Sequence, residues 1–154
     1  MKILAIDPAT ACGWAHSSDC WGTWDLSIRG DESSGMRLIR FAGKLREIHR
    51  DVGIDVIAYE GATVAGSTKG NLNGFKLIDR LGAQIQVFAE ETGGVECRPY
   101  NLSTIKAFAG CRKKSDMLDA ARKRWGPGVE DDNQADALFL LALVQRDLGD
   151  DNGD

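Results

Sequence analysis

Cysteine and histidine are scarce, and neither is arranged as a metal cluster needs. Cys12, Cys20, Cys97 and Cys111 are scattered without a Cys-x-x-Cys pair, and the only histidines are His16 and His49. That argues against a zinc site and points to four reduced, partly buried thiols. No apolar run is long enough to span a bilayer. Lys2 precedes any apolar stretch that a secretion signal would require, so the expected location is the cytoplasm. Internal repeats, low-complexity blocks and linkers are absent as well. The 154 residues suit a single domain, 1–148, followed by an acidic flexible tail, 149–154.

What is present is an alternation of short apolar runs and amphipathic stretches. Lys2–Pro8 reads as a buried central strand, and Gly13–Ser17 and Cys20–Leu26 read as strands of a meander with a hairpin at Ser17-Ser18-Asp19. Ser34 to Asp51 has the spacing of a helix, with Met36, Leu38, Ile39, Phe41, Leu45, Ile48 and Val52 on the inner stripe. Its Arg37, Arg40, Lys44, Arg46 and Arg50 read as a solvated face. Val56–Glu60 is a further strand. Ala62–Asn73, rich in Gly, Ser, Thr and Asn, reads as an exposed loop. Helix Gly74–Glu91, strand Val95–Tyr100 and helix Leu102–Ala109 follow. Helix Ser115–Trp125 is expected to be capped by Ser115, and a last helix covers Asn133–Leu148. Three strands, then alternating helix and strand, then helices, is the order of an α/β ribonuclease H-like fold. Such a fold has a five-stranded mixed sheet with helices on both faces.

Two of these strands end in a carboxylate directly after an apolar run, at Asp7 and Glu60. Strands joined by helical crossovers run parallel, so these groups share the edge of the sheet where ligands collect. Asp132 and Asp136 are four apart, and Asn133 and Asp136 three apart, so all three can share a helical face. Either Asp131 or Asp132 also suits an N-cap. Asp136 lies inside an otherwise apolar helix, where an unpaired aspartate is costly to bury. Four acidic groups without histidine or cysteine favour a hard ion, Mg²⁺ with Mn²⁺ as substitute. Two such ions per site suit phosphodiester hydrolysis.

The chain also lacks the positive charge expected of a nucleic-acid partner: its net charge is −4. Without Asp150, Asp151 and Asp154 of the tail it is −1, and without Asp7, Glu60, Asp132 and Asp136 it is +3. Distribution therefore matters more than the total, and DNA is not excluded.

From Ile3 to Leu143 the sequence resembles the RuvC family of Holliday-junction resolvases, especially small phage-encoded members. Ile6-Asp7-Pro8-Ala9-Thr10 with Gly13-Trp14-Ala15 resembles the opening strand and hairpin of the family. Ala58-Tyr59-Glu60 resembles its second acidic strand, and Gln134-Ala135-Asp136-Ala137-Leu138 its closing helix. Pro99–Lys106 and Lys114–Met117 resemble the stretch that carries DNA-contacting lysines. The chain departs from the pattern at Ala9, where glycine is usual, and at Asn133, where an acidic or histidine ligand commonly stands. The fourth ligand is thus open between Asp132 and Asn133, with Asp132 favoured.

The resemblance implies a homodimeric endodeoxyribonuclease acting on four-way or otherwise branched DNA. It implies Asp7, Glu60, Asp132 and Asp136 as catalytic and metal-binding residues, and Lys114 beside the scissile phosphate. Lys69, Lys76, Arg80, Lys106, Lys113 and Lys114 would bind DNA, with solvated charge the alternative for Lys69, Lys76 and Arg80. Helix Gly74–Glu91 would be the dimer contact while one of its faces packs on the sheet. Phe75 could stack on a base or belong to the core. Alternatives are a nuclease of the same fold acting on RNA or flaps, and a catalytically weak junction-binding protein. A kinase or ATPase is disfavoured by the short chain and the missing second Gly-rich phosphate loop.

Overall fold

The structure, a computed structural model, describes residues 1–61 and 72–151. Five strands, β1 (Ile3–Asp7), β2 (Ala11–His16), β3 (Cys20–Asp25), β4 (Val56–Glu60) and β5 (Glu96–Tyr100), form one sheet in the order β3-β2-β1-β4-β5. The β1–β2 and β2–β3 pairs are antiparallel, whereas β1–β4 and β4–β5 are parallel. Asp19, with φ of 62°, makes the β2–β3 hairpin bend in a conformation that aspartate tolerates.

Helices α1 (Gly35–Val52) and α2 (Leu72–Thr92) cover one face; α3 (Leu102–Ala109), α4 (Lys114–Trp125) and α5 (Asp132–Asp151) cover the other. β1 is buried along its whole length because both of its faces are covered. Leu4, Ile6, Ile57 and Tyr59 meet Phe41, Leu45, Leu81 and Ile85. Ile3, Ala5, Val56 and Ala58 meet Ile105, Met117 and the inner face of α5. Residues 134–144 of α5 are buried without interruption, as expected of a helix enclosed by the sheet on one side and by α3 and α4 on the other.

Several boundaries and packing details differ from the sequence reading. Ile39 is 61% exposed rather than core. At about 100° per residue it lies nearly opposite the buried Phe41, Leu45 and Ile48, so helical spacing itself leaves it outside their stripe. Ser115 does not cap α4: the Asp116 N–H donates to the Lys113 carbonyl, which starts the helix earlier and puts Ser115 inside its first turn. α2 begins at Leu72 instead of Gly74. α5 runs to Asp151 instead of Leu148, since one glycine, Gly149, costs a helix only about 1 kcal/mol. Arg37 and Arg40 are not simply solvated: Arg37 donates to the Leu26 carbonyl, and Arg40 to the Ser27 carbonyl and Glu32. All four cysteines are free thiols. Among the described residues no helix is long and apolar enough to cross a membrane. Lys69, the Phe75 side chain and most of the expected loop at 62–73 lie outside the described residues.

Candidate active site

Asp7 and Glu60 end two parallel neighbouring strands whose register sets Ile6 opposite Tyr59, so the two carboxylates leave the sheet at the same edge. Side chains alternate along a strand. Because Ala5 and Ala58 face α5, the residues two further on, Asp7 and Glu60, face it too. Across that gap α5 presents Asp136. Asp7 is 8% exposed and Asp136 7%. The Asp136 Oδ1 atom is fully buried and has no hydrogen-bond partner, a costly arrangement for a carboxylate in a protein interior.

Three contacts hold the start of α5 here. Gly13, paired with Asp7 across the β1–β2 ladder, lies directly beneath the first turn of α5. A Cβ at Gly13 would come within 2.1 Å of the Asn133 carbonyl oxygen, so only glycine permits this approach. Asp131 is the cap: its Oδ1 accepts the Gln134 N–H at 2.8 Å. Arg122 of α4 donates to the Val129 carbonyl at 2.9 Å, fixing the segment that leads into the helix. With Asp131 in the capping role, Asp132 is free of it, and its Oδ2 is paired with Lys114 Nζ at 3.0 Å. Asn133 is half-buried, and its main chain forms the contact with Gly13.

The electrostatics reflect this crowding. Burial, reinforced by the charges of Asp136, Glu60 and Asp132, raises the Asp7 carboxyl well above the ordinary aspartate range, with Lys114 opposing. Burial pushes Asp136 up to about 6; Asp132 and Glu60 add to the effect, while Lys114 and Lys106 counter it. Glu60 is raised by burial and drawn partly back by a hydrogen bond with Asp7 and by Lys106 and Lys114. Lys114 is raised, first by its hydrogen bond to Asp132. Asp7, Glu60, Asp132, Asp136, Lys106 and Lys114 therefore form one interacting group, drawn from β1, β4, α3, α4 and α5. Lys113 sits at the N-terminal boundary of α4, and Lys76 and Arg80 lie in the first half of α2; all three are exposed.

Among the described residues, no three carboxylate, histidine or cysteine side chains are already closed into a metal cage. Like charges at this distance repel, and here Asp7 is engaged with Glu60 and Asp132 with Lys114. The donor set nonetheless suits a hard divalent ion: every ligand atom on offer is an oxygen, and one buried carboxylate oxygen is unpartnered. The close approach at Gly13 and the Thr23–Gln134 contact are the parts of the site that sequence reading missed, while Asp131 was one of its two cap candidates. Asp131-x-x-Gln134 has the spacing of a capping box, a signal that favours Asp131 as the cap, although the Gln134 side chain accepts from Glu130 N–H and not from the cap residue itself.

No model of a known protein family matches the sequence, and no curated protein sequence matches it. Solved structures do. T. thermophilus RuvC in complex with Holliday junction substrate matches with a TM-score of 0.69 at 16% identity, over 91% of this chain and 90% of that one. A second Thermus thermophilus RuvC structure matches with a TM-score of 0.63 at 20% identity over the same shares. This chain has the ribonuclease H-like fold of those RuvC structures, a five-stranded mixed sheet between two helical layers.

Proposed function

We propose that this protein is a metal-dependent endodeoxyribonuclease that cleaves four-way junctions and related branched DNA. The observation that carries the reading is the convergence of Asp7, Glu60 and Asp136, with an unpartnered buried oxygen on Asp136, at the open edge of this fold. Its nearly full-length likeness to a RuvC bound to a Holliday junction supports the substrate class. Asp7, Glu60, Asp132 and Asp136 would hold two Mg²⁺, or Mn²⁺ in its place, with Asn133 the neutral alternative at the fourth position. Such an ion pair, when bound, supplies an activated water and counter-charge for the leaving oxygen of a phosphodiester.

The protein's own contribution is placement and charge. Lys114, next to Asp132 and within the field of Asp7 and Asp136, would stabilise charge developing on the phosphoryl oxygens. Lys106 acts from α3 on the same group. Lys113, Lys76 and Arg80 would hold flanking phosphates and set orientation; Lys69 shares that role by sequence. Two copies meeting through α2 would offer two sites to one junction, in the cytoplasm of the producing cell.

The test is incubation of the protein with a synthetic four-way junction, a flap, a linear duplex and RNA, with and without Mg²⁺. Paired nicks near the crossover that require Mg²⁺ are expected. Asp7→Asn should bind the junction and lower cleavage by at least about a thousandfold, in line with loss of a metal ligand. Normal cutting by Asp7→Asn would overturn the metal reading. A preference for flaps or RNA would move the substrate and leave the chemistry standing.

A further inference from the structure

Gln134 is 3% exposed and lies two residues before Asp136 on α5, a little over half a turn away, with no charge and no direct place among the carboxylates. Both polar atoms of its side-chain amide are nevertheless engaged. Oε1 accepts the Glu130 N–H at 2.9 Å, and Nε2 donates to the Thr23 hydroxyl at 3.0 Å. Thr23 Oγ1 in turn donates to Asp131 Oδ2 at 3.1 Å, while Asp131 Oδ1 accepts the Gln134 N–H. Three of these bonds close a ring through Thr23, Asp131 and Gln134 that joins edge strand β3 to the first turn of α5, and the fourth ties Glu130 to it. Only one orientation of the amide satisfies it, because Glu130 offers a donor and must meet the oxygen.

The ring answers a mechanical need. The first turn of α5 already presses on Gly13, and Asp132 and Asp136 repel Asp7 and Glu60 across the gap. Packing of the apolar body of α5 fixes the helix axis. Rotation and slippage of its first turn are what set where the two carboxylates stand. A buried amide bridging β3 and the residues before the helix resists both.

We propose that Gln134, acting with Thr23 and Asp131, is a positioning residue for the carboxylates of the metal centre. The proposal rests on the metal-centre reading given above. Groups bonded directly to a metal ligand typically change metal affinity by ten- to a hundredfold when removed, and Gln134, which acts through the helix backbone and not on a ligand side chain, belongs at the lower end of that range.

The test is calorimetric titration of the DNA-free protein with MnCl₂, together with thermal melting without metal. Gln134→Met keeps the volume and removes the amide. Thr23→Val, on an exposed strand position, keeps the fold even where Gln134→Met does not. Both should weaken Mn²⁺ binding by about tenfold or more, while Thr23→Ser, which keeps the hydroxyl, should bind as the parent does. Unchanged Mn²⁺ affinity in Thr23→Val, or lowered melting temperature with unchanged affinity in either variant, would overturn the positioning role. Asp7→Asn is the control that separates the two ideas: if it too binds Mn²⁺ normally, the metal centre itself is wrong.

Discussion

The two faces of the sheet are built on opposite plans. Against α1 and α2, β1 and β4 present the large apolar residues Leu4, Ile6, Ile57 and Tyr59, and the one buried polar side chain among the described residues of that layer, His16, is satisfied by the Gly53 carbonyl. Against α5 the same strands present Ala5 and Ala58, β2 presents Gly13 and Ala15, and α5 answers with Ala135 and Ala137. Small residues let α5 come close, and the residues next to them are Asp7, Glu60, Gln134 and Asp136. One face stabilises the fold by apolar burial. The other accepts buried polar groups that oppose folding unless something compensates them.

The contrast can be broken most forcefully on the apolar side. Leu45→Ala should cost about 2–5 kcal/mol of unfolding free energy, since Leu45 is fully buried, yet leave cleavage per folded molecule unchanged at low temperature. A comparable fall in turnover would show that the faces are not separable.

Asp136→Asn should do the reverse. In the folded protein this carboxyl is raised from 3.8 to about 6, so the native state binds its proton more tightly than the unfolded chain. The associated stability is complete below pH 4 or so and is lost as pH rises to about 6. In EDTA, urea unfolding of the parent relative to Asp136→Asn should therefore lose up to about 3 kcal/mol across that interval, at 1.36 kcal/mol per pH unit. The variant should be the more stable protein at pH 8 and inactive. Parallel pH profiles for the two would refute the burial argument.

Gly13→Ala is expected to cost about 1–3 kcal/mol, because the first turn of α5 must move to admit the methyl group. Cleavage should fall by far more than that loss of stability explains, as the Asp132 and Asp136 carboxylates move with the turn. Wild-type cleavage in a folded Gly13→Ala protein would show that close approach of α5 is dispensable. The smallest effect belongs to the other face. Gly43 of α1 has open space around it, so Gly43→Ala should raise stability by roughly 0.5–1 kcal/mol and leave cleavage alone, by chemical denaturation and junction assay.

Most of the site could be read locally. An apolar run closing on Asp7 or Glu60, and an aspartate inside the apolar stretch around Asp136, are signals that neighbouring residues carry by themselves. Lys106 and Lys114 came from motif likeness, and the structure puts both in the field of the carboxylates. What escaped was whatever depends on a partner far along the chain. The Gln134–Thr23 bond joins residues 111 positions apart. Ile39 is a miss of another kind, since helical spacing itself sets it opposite Phe41, Leu45 and Ile48 and its exposure follows from the sequence.

The sequence alone thus determined the candidate carriers of the proposed chemistry: which acidic residues end apolar strands, that oxygen donors dominate, and the order of elements that lays them out. Tertiary structure decided between Asp131 and Asp132. Both have the local spacing to cap α5, and nothing within the helix distinguishes them. A hydroxyl on β3 and a lysine on α4 do: Thr23 holds Asp131 in the capping role, and Lys114 faces the Asp132 that this leaves free.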